Sequence, residues 1–225
     1  MDARTGGQHW GKGAPRRTFS DKHWHQPELW NQAAADAGEM RNVFCASMAD
    51  VMDDEAPTNE IYRLYELIDA TPNLMWQLLT KRPQRYVRQL PGLGFAHDNV
   101  ILGVTTEDQA NWNLRIPYVL EAAHLLHRRN ATRRSDAHRV RTFASYEPAI
   151  GAITPGALMP DWVIFGGETG ADRRPMEQAW AESIRIECEQ RHVAFFMKQM
   201  SAHSPAQAAQ LIPAELLVRQ FPARV

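Results

Sequence analysis

Six short apolar runs in this chain each end in groups that carry charge or can move a proton. Ser47 and Asp50 follow the first, Thr80, Lys81 and Arg82 the second, and Thr105, Thr106, Glu107 and Asp108 the third. Tyr146 and Glu147 close the fourth, Gly166, Gly167 and Glu168 the fifth, and Lys198 and Gln199 the sixth. Glu107, Glu147 and Glu168 have the chemistry of general acids and bases, and Lys198 that of a charge stabiliser, the set a cluster-free hydrolase or lyase would need. Facing Lys81, Arg82 and Lys198, the three carboxylates would line a mixed-charge pocket suited to a small polar ligand bearing both signs. Ser47, Asp50, Thr80, Lys81, Arg82, Thr105, Gly166, Gly167 and Gln199 are the candidates for holding such a ligand. Each group taken alone also reads as a helix cap, a solvated turn or half of a structural ion pair.

The elements that must position these groups are legible in the spacing. The runs cover 42–47, 75–80, 99–105, 140–146, 162–167 and 194–199, each mostly apolar, as strands buried on both faces should be. Helical patterns lie between them: Ile61, Leu64, Tyr65 and Ile68 recur at helical spacing, as do Met176, Trp180, Ile184 and Cys188. Two further helices are predicted over 83–91 and 111–123, the second broken or started at Pro117. Strands alternating with helices define an α/β fold with a parallel sheet, and six strands suit a partial, TIM-like β/α barrel with helices outside. In such a sheet every strand's C-terminal end lies on one side, which is where ligands bind.

Residues 1–40, rich in Gly, Pro, His and Trp, read as an irregular N-terminal arm, and 41–225 as the barrel domain. Trp10, Trp24 and Trp30 are suited to packing over a barrel end and to covering the edge left by the first strand.

With 225 residues, 44% of them hydrophobic and 23% charged, the chain is long enough for one sizeable core. No apolar run approaches the ~18 residues that cross a bilayer. The opening "MDARTGGQHWGKGAPRR" has no apolar segment after its charges, so it does not read as a secretory signal, and a cytoplasmic protein is expected. Cys45 and Cys188, far apart and in apolar surroundings, form neither a disulfide framework nor a metal cluster. His23 and His25 have no Cys or carboxylate at ligand spacing, so no metal site is expected. Phosphate-loop, GxGxxG, HExxH and GxSxG motifs are absent. A net charge of −1 gives no global case for nucleic acid. Locally, 127–141 carries six arginines against one aspartate, read either as a solvated loop or as a phosphate-contacting patch built on Arg128, Arg129, Arg133 and Arg134, in which case the chain is a non-catalytic nucleic-acid-binding accessory protein using the Arg128 to Arg141 stretch.

The succession "HWGKGAPRRTFSDKHW", "RNVFCASMADVMDDEAP", "ATPNLMWQLLTKRP", "NVILGVTTEDQ", "FASYEPAIG", "DWVIFGGETGADRRPM" and "AFFMKQ", spread over residues 9–200, resembles the phage Gp-thirty-seven/Gp-sixty-eight family. That resemblance implies a phage or prophage origin, a bacterial host cytoplasm and a barrel similar to those of radical S-adenosylmethionine enzymes. Typical members carry a cysteine-rich N-terminal segment that could hold an iron–sulfur cluster, whose open iron would bind S-adenosylmethionine. These 225 residues do not contain that segment, and Cys45 and Cys188 do not stand in for it. The cluster and S-adenosylmethionine are therefore implied only where such a segment exists. A late start, a truncated copy and a cluster-free protein are the three expectations. The Gly166–Glu168 triplet also resembles the Gly-Gly-Glu that those enzymes place near the methionine amino group, though here it follows the fifth strand.

Overall fold

The computed structural model describes residues 11–45, 49–89, 99–133 and 138–222. Its strands are β1 (Arg41–Cys45), β2 (Leu74–Thr80), β3 (Val100–Thr105), β4 (Arg141–Tyr146), β5 (Trp162–Gly166) and β6 (Ala194–Gln199). All pair in parallel, in sequence order, and curl into half a barrel. The helices are α1 (Asp21–Trp24), α2 (Gln26–Asp36), α3 (Thr58–Ala70), α4 (Gln84–Gln89), α5 (Gln109–Arg133), α6 (Gln178–Gln190) and α7 (Pro205–Gln210). Each apolar run carries a strand; β2 to β5 are buried on both faces, under helices on one and under each other's side chains on the other, while the outer strands β1 and β6 are partly exposed.

Alternation along the strands sorts the apolar residues into two cores. The outer one, against the helices, includes Leu78, Leu102, Val104, Ala144, Val163 and Phe165, with Ile68, Trp112, Ile116 and Ile184 facing them from the helices. The inner one fills the concave side with Met75, Leu79, Ile101, Phe143, Trp162 and Ile164, joined by Phe44 and Phe196. Phe44 of β1 reaches Phe143 of β4 across the hollow, ring centroids 5.9 Å apart. Gly103 makes this possible, because the Phe143 ring occupies the space where any other residue would place its Cβ.

Three expectations need correction. The helix after β3 is not broken at Pro117: α5 runs from Gln109 to Arg133 straight through it. The proline forfeits one backbone hydrogen bond, but Trp112, Ile116, Val119, Ala123 and Leu126 form a buried stripe on both sides of it, and that burial outweighs the loss. The Asp108 side chain caps the start by accepting from the Asn111 N–H at 2.8 Å. The basic stretch is accordingly not a loop over 127–133, where it is the last two turns of α5.

The arm is not irregular throughout either, since 21–24 and 26–36 are helical. Pro27 in the first turn of α2 and Gly38, at φ 64 just beyond its end, are start and stop signals that the overall composition hid. Ala34 of α2 is fully buried in the outer core, and Trp24 packs against that core with the Arg63 guanidinium 4.9 Å from its ring. Trp30 stays exposed, and Trp10 lies outside the described residues. The arm thus adds to the helical layer, and no described residue of it pairs with the outer edge of β1.

The other edge is covered. Past the 3-10 turn Ala214–Leu216, the C-terminal segment runs antiparallel to β6, with the Met197 N–H donating to Val218 O at 2.8 Å and the Gln220 N–H to Phe195 O at 2.9 Å. Phe221 then turns inward onto Trp162 and Phe196, at centroid separations of 5.2 and 5.5 Å.

Candidate functional site at the strand mouths

The side-chain alternation that points Phe143, Ile164 and Phe196 inward also aims the groups two residues further on across the C-terminal mouth of the sheet. Two ion-paired clusters sit there. In the first, Lys81 Nζ donates to Glu107 Oε1 at 2.6 Å, and Arg115 Nη1 donates to Glu107 Oε2 and to the Thr105 carbonyl, both at 2.7 Å. In the second, Lys198 Nζ lies 2.8 Å from Glu147 Oε1, while the Ser145 hydroxyl donates to Glu147 Oε2 at 3.1 Å.

Both clusters have one design. The carboxylates are sunk in the mouth, with side-chain exposures of 11% for Glu107 and 13% for Glu147, whereas the lysines above them are 55% and 48% exposed. Burial pushes the Glu107 carboxyl up, but the bond from Lys81 and the charge of Arg115 outweigh it, so the group sits below its ordinary value and stays ionised. Gly166 is what lets Glu147 in: a Cβ there would stand 2.5 Å from Glu147 Oε1. Gly167 plays a different part, since its Cβ would meet the Met200 carbonyl carbon at 2.7 Å. The loops after β5 and β6 close together at this point, with the Gly167 N–H on Gln199 O at 3.0 Å and Gln199 Nε2 on Gly167 O at 2.8 Å.

The remaining candidates fall elsewhere. Asp50 accepts from the Thr80 hydroxyl, from the Lys81 N–H at 3.1 Å and from Arg82 Nη1 at 2.9 Å, so Asp50, Thr80 and Arg82 form a cap over the end of β2. Arg82 and Arg16 share Asp53, which ties the N-terminal arm to that cap. Glu168 does not join Glu147 and Lys198. It accepts from the Arg174 N–H at 2.9 Å, from Nε at 2.8 Å and from Nη2 at 3.0 Å, and this partner holds its carboxyl below the usual range. Thr105 is buried and contributes its carbonyl, not its hydroxyl, to the Arg115 contact. Ser47 lies outside the described residues.

Sequence reasoning missed Arg115 and Ser145. Ser145 carried a usable signal, being the inward residue two before Glu147 on an apolar strand. Arg115 did not, because reaching Glu107 from the second turn of α5 depends on how that helix lies over the sheet.

The arginine-rich stretch is at the opposite end of the molecule, where α5 stops and β4 begins. Arg128 is exposed on that helix, while Arg139 pairs with Asp161 and Arg141 Nη1 donates to Pro222 O at 3.1 Å. Arg129 lies on the same turn; Arg134 lies outside the described residues, as does the side chain of Arg133.

Among the described residues no group of three or more His, Cys, Asp or Glu side chains is placed to hold a metal ion. An iron–sulfur cluster does not fit the cysteines present. Cys45 faces the outer core from β1 and Cys188 is fully buried on α6, and burial pushes both thiols up to about 12, far from the thiolate form that ligates iron. No helix of the described residues is long and apolar enough to cross a membrane.

Fold and site together define a β/α half-barrel with paired charges across its strand mouths. Residues 2–216 match a family described as proteins of unknown function, DUF5131, and the chain belongs to that family. Comparison with curated proteins and with solved structures gives no significant match.

Proposed function

We propose that the strand mouths bind a small polar molecule carrying both signs of charge, and that the protein derives from an S-adenosylmethionine-type barrel of phage or prophage lineage. The observation that carries this reading is the pairing itself: two sunken carboxylates, Glu107 and Glu147, each covered by a lysine that is half in solvent. The lysine ends, half in solvent, are free to give way to a ligand cation, while the sunken carboxylates keep a charged partner throughout the exchange. A ligand ammonium takes the place of Lys198 on Glu147, and the freed lysine turns to the ligand's carboxylate. Arg115 holds Glu107 ionised and fixed while Lys81 moves. The resemblance of the Gly166–Glu168 triplet to an amino-group-binding motif agrees with this, though here Gly166 serves by admitting Glu147, and not by presenting Glu168.

The same Glu147–Lys198 geometry supports a second reading, a carboxylate and an amine 2.8 Å apart acting as base and charge stabiliser in a cluster-free hydrolase or lyase. Calorimetric titration with S-adenosylmethionine and with methionine tests the binding reading. Binding of either, weakened about tenfold or more by Glu147→Gln, is the expected result. No binding of either probe, or full affinity in Glu147→Gln, overturns it.

A further inference from the structure

The opposite, N-terminal end of the concave face holds a cavity of about 210 Å³, lined by Asn42, Met75, Gln77, Ile101, Arg141, Phe221 and Pro222. We propose that it is a binding site for a planar nitrogen heterocycle of nucleobase size, read along its hydrogen-bonding edge by the Gln77 amide.

Gln77 is the reason. It points inward from the middle of β2, in a segment whose neighbours Met75 and Leu79 are core, and is only 4% exposed. Its amide makes no hydrogen bond to any described residue; Thr106 and Asn130 are also buried without a side-chain partner, whereas Thr71, Asn99 and Thr142 have one, and of the three unpartnered residues Gln77 is the one that lines this cavity. Buried polar groups are paired almost without exception, so an unpaired amide facing a cavity calls for a partner that enters it. An amide offers a donor and an acceptor side by side, the complement of the edge of adenine or uracil.

The walls fit the same ligand. Register places Phe44, Gln77, Ile101 and Arg141 abreast on four successive strands, which sets Arg141 about 10 Å from Gln77 with the flat side of Ile101 between. Met75 and Pro222 add apolar surface, Asn42 adds a second amide, and the Phe221 ring offers a face for stacking. The volume admits one ring system and no more, below the 300 Å³ or so of sites for drug-sized molecules. Such a base can arrive free or as part of a single strand. The exposed Arg128 at this end of the molecule suits the second source, which the experiment separates from the first.

The test is calorimetric titration of the full chain with adenine, uracil, indole and an eight-nucleotide oligodeoxyadenylate, repeated with Gln77→Leu. Adenine or uracil is expected to bind, indole, which lacks the paired edge, at least about tenfold more weakly. Gln77→Leu is expected to weaken base binding about tenfold or more. Its melting temperature, in contrast, is expected to hold or rise, since it removes an unpaired buried amide. Gln77→Met serves as the second apolar variant should leucine disturb packing. Binding of the free base alone assigns a free ligand, and tighter, Gln77-dependent binding of the oligonucleotide assigns a base presented by a single strand. Absence of binding by both bases and the oligonucleotide, equal binding of indole, or unchanged affinity in Gln77→Leu overturns the proposal. The strand-mouth site is at the other end of the sheet, so these results are independent of those with Glu147→Gln.

Discussion

Replacing Gly166 and Gly167 by alanine, one at a time, separates a glycine that makes room for a side chain from one that makes room for the backbone. Neither has a positive φ, so alanine brings no conformational strain of its own. At Gly167 the new methyl would stand 2.5 Å from Ser201 Oγ and 2.7 Å from the Met200 carbonyl carbon, and that backbone is held in place by the paired bonds between Gly167 and Gln199. Relief requires the two loops to part. Overpacking of about 2 kcal/mol plus about 1 kcal/mol for a strained hydrogen bond gives a loss near 3 kcal/mol. At Gly166 the nearest atom is Glu147 Oε1 at 2.5 Å, the free end of a side chain that can swing aside.

The Gly166→Ala loss is then the Lys198 pair together with the Ser145 bond to Glu147, about 1.5 kcal/mol, offset by roughly 0.5 kcal/mol from the stiffer unfolded chain. Urea unfolding followed by circular dichroism is expected to rank the variants about 2 kcal/mol apart or more, a difference of several degrees in melting temperature. Adding Gly166→Ala to Glu147→Ala should cost nothing further, because the group in the way is gone. Equal losses at the two glycines, or a large loss for Gly166→Ala that Glu147→Ala does not relieve, would refute the reasoning.

Glu107→Gln should destabilise by about 2 kcal/mol at neutral pH, since Lys81 and Arg115 lose a charged acceptor. The folded-state carboxyl lies below its ordinary 4.5, so its stabilisation is complete above that pH and is lost as the pH falls through the lowered value. Acid unfolding curves should therefore converge for wild type and Glu107→Gln below pH 4.5, and a constant gap down to the acid limit contradicts this. Removing residues 1–31 should leave the protein insoluble: Trp24 and the buried Pro27 leave the helical layer, and the Asn73 N–H loses the Asn31 Oδ1 that accepts from it at 2.8 Å. A soluble, cooperatively melting deletion product would show that the arm is dispensable.

The strands were legible because a parallel strand buried on both faces must be an unbroken apolar run, and β2 to β5 are that. Reading their C-terminal ends as one surface set Glu107, Glu147 and Glu168 as a group facing Lys81, Arg82 and Lys198, without saying which base takes which acid; the pairs Lys81–Glu107 and Lys198–Glu147 come from the structure. Pairings that depend on how an element lies over its neighbours were out of reach. Glu168 follows β5 as Glu147 follows β4, yet a loop that carries Arg174 back over it claims its carboxylate. Pro117 announces a break that the buried stripe of α5 overrides. The α2 helix was missed for the opposite reason, local signals at Pro27 and Gly38 being lost among glycines and tryptophans that suggest no structure.

The two borders of the sheet are unequal. The segment 218–220 occupies the hydrogen-bonding side of β6, while among the described residues β1 has no strand beyond it. With β6 covered over Phe195–Met197 and β1 uncovered among the described residues, two copies joining through their sheets would meet β1 against β1, and the pair so formed would have no second border to offer. Association by that route would terminate at two chains, where two unsealed borders would allow a filament to grow without limit.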